Sequence, residues 1–322
     1  MNGVSKYIVG IDIGGTKVKL GVLDIEGTIL DKWEIATNLA DNGAYIVEDM
    51  WSSLARHPLL ADLGSVLGIG VGAPGFVDAQ TGNVYEAVNI GWKDFGLGDM
   101  LRRKCAFPVF VENDANIAAL GENWRGAGNQ AKDLIVVTLG TGVGGGIIAN
   151  GEILHGINGT AGEIGHIVID PQGYACNCGR TGCLDTIASA TGIARQAMEE
   201  LALEPTGKLA DLYARQGAVS AKEVFSLAEA GDPSCIRVIA RVADKLGIAL
   251  ANAAGIINPS KILIGGGVSQ AGDWFLADIR AAFVRHSLAR IGTITRIEYA
   301  RLGNDAGMIG AAYMVRKQLA IE

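Results

Sequence analysis

Four glycine clusters, each directly behind a short apolar run, constrain this chain more than any other feature. They are YIVGIDIGGTK at 7–17, VLGIGVGAPG at 66–75, LIVVTLGTGVGGG at 134–146 and KILIGGGVS at 261–269. Each run is brief, rich in β-branched residues and bounded by glycine, so each reads as a buried strand. Glycine at a strand end permits φ > 0 and lets the backbone approach a ligand closely. One such loop is ordinarily a tight turn. Four of them point to a nucleotide held between several strand ends. The 322 residues include 46 glycines, about twice the usual share. They follow no period and form no low-complexity tract, which excludes collagen and flexible linkers.

The residues directly behind the first and third clusters decide the topology. After IDIGGTK the chain continues VKLGVLDIEGTIL, alternating apolar and polar residues up to a turn at Gly27. After LGTGVGGG it continues IIANGEIL, with Asn150-Gly151 as a hairpin turn. Strand, glycine turn, strand, turn, strand therefore occurs twice, a weak internal repeat with two sheets that each open as a meander. GTGVGG at 140–145 matches G-x-G-x-x-G, but a strand comes next where a dinucleotide fold needs a helix. The Walker pattern G-x-x-x-x-G-K-[ST] does not occur. Amphipathic helices are expected at 44–57, 233–259 and 273–286. The second carries Ile236, Ile239, Val242, Leu246, Leu250 and Ile257 as one stripe. The pattern is α/β in two halves, with the crossing near 108–114.

The net charge of −7 is spread without any run of Lys or Arg, which argues against nucleic-acid and anionic-membrane partners. No stretch of 18 apolar residues is present, and MNGVSKYIVGIDIGGTK lacks the form of a signal peptide. Three of the five cysteines are clustered, which reads as metal rather than a disulfide framework. A cytoplasmic location is expected.

Taken together, DIGGTK, LGTGVGGGI, GEIGH and CNCGRTGCLD resemble the ROK family of sugar kinases and related repressors, in family order and across residues 7–314. Within it the chain is most similar to the glucokinases of Gram-positive bacteria. The resemblance implies an actin-like, ribonuclease-H-like pair of α/β domains with the active site in the interdomain cleft. Residues 1–112 plus 304–322 would form the small domain, and 113–303 the large one with a zinc-binding loop. It implies ATP-dependent phosphorylation of a hexose, glucose to glucose 6-phosphate, and often a homodimer. Fructose, N-acetylmannosamine and N-acetylglucosamine stay open as substrates, and polyphosphate as a donor. A non-catalytic sugar-sensing relative is a further alternative, but the family's repressors carry a helix-turn-helix ahead of the first motif. Here 11 residues precede Asp12, so DNA binding is not expected.

Peptide N–H groups on glycine hairpins suit phosphates because they donate without side-chain bulk. Gly14, Gly15, Thr16 and Lys17 are candidates for one side of such a cradle, and Gly140, Thr141, Gly142, Gly144 and Gly145 for the other. Asp12 would orient hydrated Mg²⁺ near the transferred phosphate; a turn-capping Asp is the alternative. The loop of Gly265, Gly266 and Gly267 is expected to open a helix and, by family position, to border the adenine and ribose. Asn113-Asp114 ends a strand and begins a helix, so Asp114 reads from spacing alone as either an N-cap or a general base. The family's base is the Asp of this pair. By the same resemblance Asn113, Glu163 and His166 contact the sugar, and Asn89 is a weaker candidate.

His166, Cys176, Cys178 and Cys183 supply one imidazole and three thiolates, the set of a closed structural Zn²⁺ site. Gly179 and Gly182 let the loop bend, and His166 is expected to serve the metal with one ring nitrogen and the sugar with the other. The knot is thus a brace for the pocket. Asp185 departs from the family, whose motif is GCLE where this chain has GCLD. Its shorter carboxylate is expected in the sugar pocket, standing back from the anomeric end.

Overall fold

The glycine-bounded apolar runs form the strands that the sequence predicts. The computed structural model describes residues 6–61, 63–105, 107–267 and 271–321. The first sheet contains β1 (Tyr7–Ile13), β2 (Lys17–Leu23), β3 (Ile29–Ala36), β4 (Val66–Ala73) and, past a small three-stranded sheet, β8 (Val109–Asn113). Its order is β3-β2-β1-β4-β8. β1 to β3 form the antiparallel meander, and β1, β4 and β8 run parallel. The small sheet is β5 (Phe76–Asp78), β6 (Asn83–Ala87) and β7 (Trp92–Phe95).

The second large sheet repeats the plan with β9 (Leu134–Leu139), β10 (Val143–Ala149), β11 (Glu152–Ile153), β12 (Lys261–Gly265) and β13 (Arg296–Tyr299), in the order β11-β10-β9-β12-β13. Asn150 and Gly151, both at positive φ, make the expected hairpin turn between β10 and β11. This is the two-domain, actin-like α/β architecture.

The helices are α1 (Ile46–Leu54), α2 (Leu97–Lys104), α3 (Asp114–Arg125), α4 (Asp185–Ala188), α5 (Ala190–Leu203) and α6 (Lys208–Gln216). They continue with α7 (Ala221–Glu229), α8 (Pro233–Ile257), α9 (Asp273–His286), α10 (Ala289–Gly292) and α11 (Ala306–Gln318). α9 has the expected bounds. α8 starts as expected, with Pro233 behind an Asp232 cap, and ends at Asn258 in the left-handed conformation. One stripe residue is misplaced: Ile236 is exposed, and the buried face runs through Cys235, Val238, Ile239, Val242, Leu246 and Leu250. The predicted stripe from Ile239 to Leu250 is buried and the buried face is wider than one stripe, because α5, α7 and α9 all pack on α8. The helix expected to open after the Gly265–Gly267 loop falls on residues 268–270, which lie outside the described residues; the next helix described, α9, begins at Asp273.

α11 returns from the second half to lie on β1, β4 and α3. Small residues make this possible. A methyl group on Gly70 of β4 would sit 2.1 Å from the Ala311 carbonyl oxygen, and one on Gly310 would sit 1.7 Å from that of Ile117. Several glycines therefore serve helix packing rather than ligand loops. The consequence is functional, because α3 carries Asp114 on its first turn.

Candidate active site

β1, β4 and β8 end at one edge of the first sheet, where Asp12 pairs with Gly72 and Ala73 with Asn113. In open parallel sheets ligands bind beyond such carboxyl ends. Asn113, not Asp114, is the N-cap of α3: its Oδ1 accepts from the N–H groups of Ala115 and Asn116. The capping role considered for Asp114 is thereby taken. Asn113 also donates through Nδ2 to the Gly75 carbonyl and to Asp114 Oδ1, both at 3.0 Å. Asp114 additionally accepts from the Ala115 N–H at 2.8 Å.

Asp114 stands where two cavities meet. One, of about 240 Å³, is bounded by Gly75, Asn89, Asn113, Gly144, Glu163 and His166 among others. The other, of about 360 Å³, is bounded by Asp12, Thr138, Gly142, Val143 and Asp185. Burial, and then the charge of Asp12, push the Asp114 carboxyl up to about 6. Burial also raises Asp12, against the opposing effect of Lys19, whose Nζ lies 3.3 Å from Asp12 Oδ2. The Asp12 carboxylate abuts the first turn of α11, where a Cβ on Gly307 would come within 2.7 Å of it. Glu163 is raised by burial.

The Gly140–Gly142 hairpin borders the second cavity through Gly142, and the Gly14–Thr16 hairpin follows Asp12, which lines it. Gly14 N–H bonds to the Lys17 carbonyl and Gly140 N–H to that of Gly142, which closes each turn tightly. Thr16, Thr141 and Gly142 are exposed at these turns and Gly15 is half-buried. Gly144 and Gly145 lie within β10 and also pack, against Ala115 and Ile164 respectively. Lys17 points away, paired with Glu34 at 2.5 Å. The lysine at the site is Lys19, and the hairpin itself signals it: a turn centred on Gly14-Gly15-Thr16 sets Lys19 opposite Asp12.

Asp185 lines the second cavity and is not among the residues that bound the first, with Glu163 and His166. Its Oδ1 accepts from the Val143 N–H at 2.7 Å, and the residue lines the phosphate-side cavity with Asp12 and Asp114. Being short and on the first residue of α4, the carboxylate engages the nearest hairpin amide rather than reaching past it.

A third cavity, of about 440 Å³, lies beyond Gly140 and is bounded by Ser220, Lys222, Phe225, Glu229 and Gly267. Its size suits a small organic ligand, for which roughly 300–1,000 Å³ is usual. Gly265 ends β12, and Gly266 turns at positive φ against Leu139. The α7 residues of this cavity carry no motif; the Ser220–Glu223 capping box marks only the start of their helix.

The metal-type cluster assembles. The ligand atoms of His166, Cys176, Cys178 and Cys183 all lie within 4.8 Å of one another. Cys176 Sγ is 3.6 Å from His166 Nδ1, and Cys178 Sγ is 3.6 Å from Cys183 Sγ. Tetrahedral zinc with Zn–S bonds near 2.3 Å needs sulfurs about 3.8 Å apart, so the set fits that ion. Arg180 lowers the Cys178 thiol to about 6, towards the thiolate that a metal requires. Gly179 and Gly182 both have positive φ in the loop. His166 turns Nδ1 to the sulfurs and Nε2 toward Glu163, 4.0 Å away.

Residues 8–318 match the ROK family. The chain belongs to that family. This ROK protein is 51% identical to a glucokinase of Halalkalibacterium halodurans over 97% of its own length and 96% of the relative's. A Thermotoga maritima glucokinase is 35% identical, with 97% and 98% covered. Among solved structures, a ROK family glucokinase from Streptomyces griseus in complex with glucose and AMPPNP is 36% identical. It superposes with a TM-score of 0.81 over 97% of this chain and 99% of that one. No helix among the described residues is long and apolar enough to cross a membrane.

Proposed function

We propose that this ROK protein transfers the γ-phosphoryl group of ATP to the 6-hydroxyl of glucose, with Asp114 as general base. The observation that carries the reading is the place of Asp114: half-buried, lifted to about 6, and shared by the two cavities, which we assign to the sugar and the phosphates. At neutral pH it is mostly ionised, yet it is a better proton acceptor than an exposed carboxylate. The O6–P bond forms as the bond from the γ-phosphorus to the bridging oxygen breaks. The hydroxyl proton passes to Asp114, and ADP leaves.

Glu163, His166 and Asn89 border the pocket assigned to the sugar. Asn113, whose amide is engaged in the cap and on Asp114, holds the base and offers little to a sugar hydroxyl. The turns at Gly14–Thr16 and Gly140–Gly142 donate to phosphate oxygens, and the cavity beyond Gly140 and Gly267 receives the adenine. An oxygen-only set of Asp12, Asp114 and Asp185 around the phosphate cavity suits Mg²⁺. These residues would hold such an ion, Asp12 through its water shell, and it would supply charge neutralisation at the transferred phosphate. Zinc on His166, Cys176, Cys178 and Cys183 would be structural, since four protein ligands leave no open position. The knot fixes His166 and Glu163 on the sugar side and, through Asp185, the Val143 amide on the phosphate side.

We place the division into domains at 1–112 plus 304–322 and 113–303, in keeping with the two sheets and the return of α11. The decisive experiment is an ADP-coupled assay across glucose, fructose, mannose, N-acetylmannosamine and N-acetylglucosamine. Glucose is expected to give the largest kcat/KM; a larger value with any other hexose reassigns the substrate.

A further inference from the structure

The residue before the Asn113-Asp114 pair is Glu112, whose side chain is only 5% exposed. A carboxylate taken so far out of water needs donors. It has three. Oε1 accepts from the Asn113 N–H at 2.8 Å and from Asn116 Nδ2 at 3.0 Å. Oε2 is bonded to Nε2 of His155 at 2.5 Å. A carboxylate has no proton to give here, so Nε2 is the donor. That bond pushes the His155 imidazole up from its ordinary value, with Glu152 adding to the effect.

His155 comes from the other half of the molecule. It lies just past β11 of the second sheet, and its carbonyl accepts from the Ala161 N–H, which folds the strand-to-pocket segment back on itself. That segment ends at Glu163 and His166 on the sugar side. The bond to Glu112 therefore joins the second sheet to the last strand of the first, one residue ahead of the helix cap. A chain of contacts runs from His155 to Glu112, from Glu112 to the Asn113 amide, and from Asn113 Nδ2 to Asp114 Oδ1.

We infer that His155 is a positioning residue for the phosphoryl-transfer step: from across the cleft it clamps Glu112, which sets Asn113 and, through it, the Asp114 carboxylate. The inference rests on Asp114 being the base. A misplacement of about 1 Å at such a group can cost up to 100-fold in rate. Loss of the clamp should therefore appear in kcat, while the hydroxyl-binding groups and the ATP site stay in place.

The test uses two amides of different reach. Glutamine places its Nε2 near the position of the imidazole Nε2 and can still donate to Glu112. Asparagine matches only Nδ1 and stops short. His155→Gln is expected to keep kcat within about 3-fold of wild type, and His155→Asn to lose on the order of 10-fold or more. KM for glucose and for ATP should move by less than about 2-fold in both. Equal kcat values for the two variants would overturn the inference, as would a His155→Asn protein changed only in melting temperature or only in KM. Asp114→Asn is assayed beside them. If it keeps most of its turnover, the general-base reading fails and this inference falls with it. An inactive Asp114→Asn together with an unimpaired His155→Asn overturns the clamp alone.

Discussion

The position of Asp114 makes the acid limb of the pH profile a direct reading of the site. Burial and the neighbouring Asp12 charge lift its carboxyl from 3.8 to about 6. With a value near 6, the ionised fraction is about 90% at pH 7 and about 10% at pH 5, so kcat/KM for glucose should fall roughly 10-fold over that interval. An unshifted carboxylate would stay about 90% ionised at pH 5 and leave the rate nearly flat. Stability moves with pH in the opposite direction to activity. Because the folded value is raised, the stabilising contribution of this group is fully present below the unfolded value near 3.8. It is lost as the pH climbs through about 6. The shift corresponds to about 3 kcal/mol of opposition to folding at neutral pH. Asp114→Asn removes that opposition and the base together. The variant should lose about 10²–10⁴ in kcat and melt several degrees higher at pH 7.5, with the gain gone near pH 4. Steady-state kinetics from pH 5 to 8 at saturating ATP, with thermal melts of both proteins, provide the measurements. A kcat/KM that stays level to pH 5, or an Asn variant with near-normal turnover, would refute the argument.

Metal analysis of the purified protein should find about one zinc per chain; Cys178→Ser should lower both that content and the melting temperature, and a fully active preparation without zinc would remove the brace. Asp185→Ala strips the Val143 N–H of its acceptor and should lower kcat/KM for ATP by about 10-fold, the scale of one hydrogen bond to a charged group, with KM for glucose changed less. The opposite ordering of the two effects would return Asp185 to the sugar pocket. Gly310→Ala forces a methyl group to within 1.7 Å of the Ile117 carbonyl oxygen, so a loss of at least about 1–3 kcal/mol in chemical denaturation is expected. A variant as stable as wild type would show that α3 and α11 can separate at little cost.

Much of the fold and the site is legible from local sequence because the relevant signals are local. The β-branched runs, the Asn150-Gly151 turn, the Asp232-Pro233 start of α8 and the His166 to Cys183 cluster each act over a few residues. The features that escape it depend on partners far along the chain. The pairing of Lys17 with Glu34 on β3 is one of these, whereas the placing of Lys19 opposite Asp12 follows from the local β1–β2 hairpin. Gly10 and Gly70 look like the loop glycines beside them until α11 returns from the far end of the chain to pack on their bare faces, and Gly310 of α11 in turn meets Ile117 of α3. The cavity beyond Gly140 that we assign to adenine is likewise lined by α7, a helix whose residues carry no phosphate or base signature.

The bond of Asp185 to the Val143 N–H has the same origin and a wider consequence. A family pattern specifies the residue type and its place in the chain, but the acceptor geometry of a carboxylate depends on which donor lies nearest once the backbone is set. Here Cys183 fixes the backbone two residues earlier, α4 starts at Asp185, and the Val143 N–H lies 2.7 Å from its oxygen. Gly165, between Glu163 and His166, packs so tightly on the same hairpin that a Cβ there would come within 2.1 Å of the Val143 carbonyl. A metal in the knot would thus hold one residue of the hairpin we assign to phosphate from two sides, through Asp185 on the N–H and Gly165 on the carbonyl. A brace on the sugar pocket alone would leave ATP affinity untouched when the metal is withdrawn. A brace shared by both sides requires the KM values for glucose and ATP to rise together during chelation.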